Sequence, residues 1–371
     1  MVAHRFPPYT GGVETHTLEV ARRVAADSRF EVHVLTTDLD RKLPPREVVD
    51  GVQVTRVRVG PPGTDLYIGP DIFRRVRSTS ADLVHCQGYH TFVPPLAMAA
   101  AQRARIPYVV TLHSGGHSSR VRRAIRPVQL RALRGQLAGA ERLIAVSRFE
   151  AHEFARRLNV PEDRFLVIPN GSDMPAVANA KLGPRDAGLI LSVGRLERYK
   201  GHHRLIDALP RVRRERPDAR LVILGSGPYL SELRHRAVER GVGDAVEIRS
   251  ASRPEVAGLM AQAQVVALLS DYESQGLAVH EALALGCRIM VSRSSALAEV
   301  ADLPQARGVA PSAGSDEIAD GLLAQLAAPS SIADPPILPS WDECAARVMD
   351  VYRAVLSGED SGSGPIGSTT S

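Results

Sequence analysis

Short β-branched apolar runs alternate with amphipathic stretches along most of the chain. Strand-like runs fall at 31–37, 52–59, 81–86, 107–113 and 142–147, and a second series at 189–194, 219–225, 245–250, 264–270 and 287–292. Residues 201–215, 228–240 and 316–327 carry helical periodicity between them. Runs that are apolar on both faces and alternate with helices predict an α/β fold whose parallel sheets are covered on both sides.

Between the two series lies a stretch rich in Pro, Gly, Asn and Ala, which reads as a linker. The pattern divides the chain into an N-terminal Rossmann-like domain over 1–172, a linker over 173–187 and a second Rossmann-like domain over 188–340. A last helix follows at 341–356, and a tail at 357–371 has little to bury and reads as disordered. Two doubly wound domains facing across a cleft would bind ligand at the carboxyl ends of their strands. The opening "MVAHRF" is short for a first strand, which is normally central and buried, and favours a start upstream of Met1.

The length of 371 residues agrees with two domains. An apolar fraction of 44% with 23% charged residues is ordinary for a globular protein, and 4% aromatics argues against a stacking platform for single-stranded nucleic acid. Net charge is +5, and almost all of the positive charge is arginine, since Lys42, Lys181 and Lys200 are the only lysines. Cys86, Cys287 and Cys344 lack metal-like spacing and suit a reducing compartment. With no run apolar enough to span a bilayer, the expectation is a cytoplasmic protein. Arginines at 73–77 and 119–135 offer a face for anionic lipid at the inner side of a membrane, against the simpler reading of solvated helix faces.

Candidate chemistry sits at the ends of the strand-like runs. Gly11 and Gly12 open a helix and let backbone N–H groups approach an anion. In "GRLERYKG", Arg195 offers a planar fork and Lys200 a point charge, suited to a diphosphate. Gly225 in "LGSGP" ends another strand, as Ser250 ends the one after it. His113 ends "YVVTL" on the expected ligand side, with Ser114-Gly115-Gly116 after it as a mobile loop. In "DYESQGLAVHEALALG", Glu273 and Glu281 lie eight positions apart around Gly276 and Leu277, where a helix begins. The amides there attract phosphate and the carboxylates accept bonds from vicinal hydroxyls. That pairing suits a ligand with both groups, a nucleotide sugar.

The ordered set "FPPYTGGVE", "VSRFEAHEFARRLNVPEDRFLVIPNGSD", "GRLERYKG", "GSGP" and "ESQGLAVHEALALG" resembles the retaining family 4 glycosyltransferases of GT-B fold, with their E-x7-E signature, over residues 1–356. The resemblance implies that Gly12, Arg195 and Lys200 meet the donor pyrophosphate. It implies Glu281 on the ribose, Glu273 on the donor sugar with amides near Gly276 and Leu277, and His113 beside the transferred sugar. It also implies that the last helix returns to the N-terminal domain. Gln275 stands where an aromatic is usual, Ser294-Ser295 where glycines are frequent, Ala298-Glu299 in place of Pro-Glu, and no glycine lies near Ser250-Ala251.

The implied reaction passes a sugar from a UDP- or GDP-linked donor to a sugar, lipid-linked or small-molecule acceptor, with no metal and no cofactor. "DLD" at 38–40 matches a D-x-D metal motif formally and is discounted by its place after an early strand. The alternatives are a GT-B disaccharide phosphorylase, a nucleotide-sugar epimerase, and a non-catalytic nucleotide-sugar binder.

Overall fold

A computed structural model describes residues 1–9, 11–60, 67, 69–114, 120–172, 184–329 and 339–358, and for 120–126 the backbone alone. The chain divides into two compact units. One comprises Met1–Ser114, Ala124–Gly171 and Trp341–Ser371, the other Gly115–Arg123 and Ser172–Ser340. Gly115-Gly116, most of the linker and the tail from 359 lie outside the described residues.

The first unit holds an eight-stranded sheet in the order β3-β4-β2-β1-β5-β6-β7-β8. In chain order the strands are β1 Val2–Ala3, β2 His33–Asp38, β3 Arg46–Val49, β4 Val52–Arg58, β5 Val84–Gln87, β6 Tyr108–Thr111, β7 Arg142–Ala145 and β8 Phe165–Val167. All neighbours pair in parallel except β3 with β4, so this sheet is mixed rather than purely parallel. The exception is a hairpin at Asp50-Gly51, where both residues have positive φ, 49° and 80°, the geometry an Asp-Gly turn supplies. Strands β3 and β8 add to the runs read from the sequence. The opening strand is only Val2–Ala3, yet it is central, flanked by β2 and β5.

Alternate residues of these strands face different layers. Cys86, Tyr108, Val110, Leu143 and Ala145 share one cluster, while Val109 and Ile144 meet Val20, Val24, Trp341, Val348 and Tyr352 on the other side. The helix Trp341–Ser357 therefore belongs to the core of the first unit, packed on the helix Gly12–Ala26.

The second unit has strands β9 Asp186–Val193, β10 Arg220–Leu224, β11 Val246–Arg249, β12 Ala263–Leu268, β13 Arg288–Ser292 and β14 Ala306–Val309. Strand β9 starts at Asp186, so residues 186–187 belong to the sheet and not to the linker, and β14 is a further strand not read from the sequence. Every pair is parallel, in the order β11-β10-β9-β12-β13-β14. Ile190, Ile223, Val265 and Met290 pack on the helices His202–Glu215 and Ser315–Ala327. Leu191, Val222, Val266 and Ile289 pack on Arg253–Gln262 and Leu277–Ala284. Chain order reverses between β9 and β12, and a doubly wound sheet binds ligands outside the carboxyl ends of its strands at such a point. Among the described residues no helix is long and apolar enough to cross a membrane.

Candidate functional site

The loops after β9, β10 and β12 lock together through their backbones. Leu196 N–H donates to Ser226 C=O, Tyr229 N–H to Leu196 C=O and Asp271 N–H to Tyr199 C=O. Two glycines are required by close approach: a Cβ on Gly225 would lie 1.9 Å from the Gly194 carbonyl oxygen, and one on Gly201 2.0 Å from that of Leu269. Gly225 thus has a packing reason independent of any ligand. Ser250 is exposed and lies beside it, its Oγ 3.4 Å from the Gly225 carbonyl.

On this frame Lys200 Nζ meets Glu273 Oε1 at 2.7 Å, with 14% and 12% of the two side chains exposed. Ser270 Oγ donates to the same oxygen at 2.7 Å. Burial works against the Lys200 ammonium, but the adjacent Glu273 and Tyr199 outweigh it and raise its pKa above the usual lysine value. Arg195 lies close enough to act on the Lys200 charge; it donates to the Tyr199 hydroxyl at 2.9 Å and stands 3.3 Å from Glu197, with its side chain 62% exposed.

Glu281 is almost fully buried, at 1% exposure. Arg253 forks onto both its oxygens, with Nη1 3.1 Å from Oε2 and Nη2 bonded to Oε1. Ser172 Oγ donates to Oε1 at 2.9 Å. The helix Leu277–Ala284 that carries Glu281 starts from Gly276 in the left-handed region, φ 77°. Glu281 lies in its second turn, on the buried side, where it faces Arg253 instead of water. Neither Glu273 nor Glu281 is a surface charge.

In the first unit Gly12 opens its helix with free space around it, since a Cβ there would meet nothing within 4 Å. A Cβ on Gly11 would strike the Glu14 carboxylate at 2.3 Å. His113, just beyond β6, takes a left-handed backbone, φ 45°. Its Nε2 is 2.8 Å from Gln87 Oε1, and its ring packs edge-on to His16 at 4.5 Å. Burial, followed by the neighbouring His16, His85, His90 and His4, holds its pKa well below the ordinary histidine value, so the ring is neutral. The Asp38 and Asp40 of "DLD" are engaged locally, by the Leu43 N–H and the Tyr9 hydroxyl.

Sequence reasoning missed several residues that the folded units bring to these positions. Arg253 is the first residue of its helix after Ser252, whose S-x-x-E capping box with Glu255 is legible in the sequence. Ser147 and Glu150 form the same spacing. Glu150 is fully buried and accepts from the Ser114 N–H at 2.6 Å, the Val146 N–H at 2.9 Å and the Ser114 hydroxyl. Burial raises its carboxyl to about 7, against the lowering effect of these donors.

Comparison with known proteins follows the same division. A family described as Glycosyltransferase Family 4 matches residues 10–174, and one described as Glycosyl transferases group 1 matches residues 176–331. The chain is 32% identical to GDP-mannose:cellobiosyl-diphosphopolyprenol alpha-mannosyltransferase of Xanthomonas campestris, over 77% of this chain and 76% of that one. It is 30% identical to D-inositol 3-phosphate glycosyltransferase of Xylanimonas cellulosilytica, over 92% and 91%. Among solved structures, Anabaena HepE in complex with UDP and glucose superposes with a TM-score of 0.74 at 18% identity, covering 95% of this chain and 98% of that one. Sucrose-phosphate synthase from Thermosynechococcus elongatus superposes with a TM-score of 0.72 at 22% identity, covering 94% of each.

Proposed function

This chain belongs to the family 4 glycosyltransferases of GT-B fold, and we propose that it moves a hexose from a nucleoside-diphosphate sugar to an acceptor hydroxyl with retention at the anomeric carbon and without a metal. The observation that carries the reading is the pair of carboxylates beside the β9/β12 reversal, Glu281 buried and Glu273 partly so, each held by its own cation: Glu273 by Lys200 and Glu281 by Arg253.

In this reading Glu281 accepts from the ribose hydroxyls and Glu273 from the donor sugar. Lys200, Arg195 and the amides at Gly276 and Leu277 take the diphosphate. In the first unit, Gly11 and Gly12 offer backbone N–H groups to an anion. The bond from the anomeric carbon to the β-phosphate oxygen breaks, and its electron pair stays on the phosphate, where the fixed positive groups stabilise it. The acceptor oxygen bonds to the oxocarbenium-like carbon from the face just vacated, and its proton passes to the leaving phosphate. Neutral His113 serves as a hydrogen-bond partner to the transferred sugar. No side-chain nucleophile enters the step.

UDP and GDP are the favoured donor bases, in line with the UDP-bound Anabaena structure and the GDP-mannose enzyme of Xanthomonas. A lipid-linked acceptor, reached by peripheral contact with the inner face of the membrane, accords with the polyprenol-linked substrate in that enzyme's name. The phosphorylase and epimerase alternatives draw no support from these relatives.

The test is a thermal-shift screen of UDP-, GDP-, ADP- and dTDP-sugars, then an acceptor panel with the best donor and NMR of the product anomer. A product of inverted configuration overturns retention, and loss of turnover with a chelator overturns metal independence. The absence of a shift or turnover with every donor overturns the donor class.

A further inference from the structure

Ser295 occupies a conformation that a serine rarely adopts. It opens the short 3-10 turn Ser295–Glu299 after β13 with φ 49°, in the left-handed region. A non-glycine residue there is strained and persists only when its surroundings fix it. Its hydroxyl accepts the Glu273 N–H at 2.7 Å, and the next residue, Ala296, donates its N–H to the Glu273 carbonyl at 3.3 Å. Both backbone polar groups of Glu273 are therefore held by residues 295 and 296.

The side chain of Glu273 is held from a different direction. Oε1 takes both Lys200 and Ser270, whereas Oε2 makes no hydrogen bond among the described residues. Ser270 is itself anchored, because its carbonyl accepts from the Ser292 hydroxyl and from the Ser294 hydroxyl, the latter at 2.7 Å. Glycine at 295 would relieve the backbone, yet it would leave the Glu273 N–H without its partner.

We infer that Ser295 is a positioning residue for Glu273: its hydroxyl fixes the backbone from which the carboxylate extends, so that Oε2 alone is presented to the hydroxyls of the donor sugar. The inference rests on the reading that Glu273 faces that sugar. It separates two costs that usually coincide. Replacing Ser295 by glycine should spare the fold and harm recognition, whereas a merely structural serine would lose both or neither.

The experiment compares wild type with Ser295→Gly, Ser295→Ala and Glu273→Gln. Three quantities are read: amide hydrogen exchange over residues 271–275, Tm, and calorimetric Kd for UDP against UDP-glucose and GDP against GDP-mannose. Ser295→Gly and Ser295→Ala should both speed exchange at Glu273, and Ser295→Gly should do so without lowering Tm. In both, the preference of the cognate nucleotide sugar over its bare nucleotide should fall about tenfold. Unchanged exchange in both Ser295 variants overturns the pinning. Faster exchange with wild-type sugar preference, while Glu273→Gln loses it, overturns the positioning role and leaves the role of Glu273 standing. Wild-type preference in Glu273→Gln, or no binding of either sugar by wild type, overturns the donor reading and the inference with it.

Discussion

Lys200 and Glu273, 73 positions apart in the chain, meet at 2.7 Å in a largely buried ion pair. Such a pair is strong only while both members are present, because a charge left alone in a dry site keeps its full desolvation cost. Lys200→Met and Glu273→Gln should each cost about 1–3 kcal/mol of stability, less than a fully buried pair because some exposure remains. The double variant should be more stable than the sum of the two losses predicts. Urea unfolding of the three proteins checks the coupling. On activity, each single variant should lower kcat/KM by about 100-fold or more, the scale expected when a charge-stabilising group is removed.

The two carboxylates should be separable by ligand. A nucleotide and its sugar conjugate carry the same ribose, so Glu281→Gln should weaken UDP and UDP-glucose, or GDP and GDP-mannose, to the same extent. About tenfold corresponds to one lost charge-assisted bond. Glu273→Gln should weaken only the sugar-bearing member of each pair. Calorimetry with both ligands distinguishes these patterns, and a Glu281→Gln effect confined to the nucleotide sugar would contradict the ribose assignment.

Much of this was legible in the sequence, for identifiable reasons. The buried strands of the second unit are β-branched runs, apolar on both faces, and their positions followed directly. The glutamates at 273 and 281 were legible because they lie eight positions apart on either side of a glycine helix start. The partners of those glutamates were not. Arg253 lies 28 positions before Glu281 and Ser172 lies 109 before it, and nothing in local periodicity reports a contact over such distances. The β3–β4 hairpin has a local signal in Asp50-Gly51, but β3 alternates exposed and half-buried positions and so lacks the apolar run that marks the buried parallel strands.

Glu150 sets a pH dependence of definite sign. Its folded pKa, about 7, lies above the unfolded carboxylate value. The folded chain therefore holds a proton that the unfolded chain releases, and the associated stability is full below about pH 4.5 and is lost as pH rises through 7. His16, lowered to about 4 by burial, acts oppositely: its contribution is present above about pH 6.5 and is lost as pH falls toward 4. Glu150→Gln should remove the first trend and keep the second. Urea unfolding at pH 5 and pH 8 measures both, and an unchanged difference between wild type and variant at the two values would contradict the assignment.

Gly225→Ala should destabilise the second unit by about 1–3 kcal/mol, the usual cost of forcing a methyl into a filled space, since its Cβ would lie 1.9 Å from a carbonyl oxygen. Chemical denaturation checks this with no ligand present. A neutral outcome would mean that the loops after β9 and β10 give way more easily than their hydrogen bonds imply.

That mutual backbone contact has a practical corollary for redesign. Segments 194–201, 225–229 and 269–271 touch main chain to main chain, so a foreign version of any one of them would arrive without its matching surfaces. Single side chains on these loops are thus open to exchange, but the loops themselves behave as one cassette, to be transplanted together or left alone.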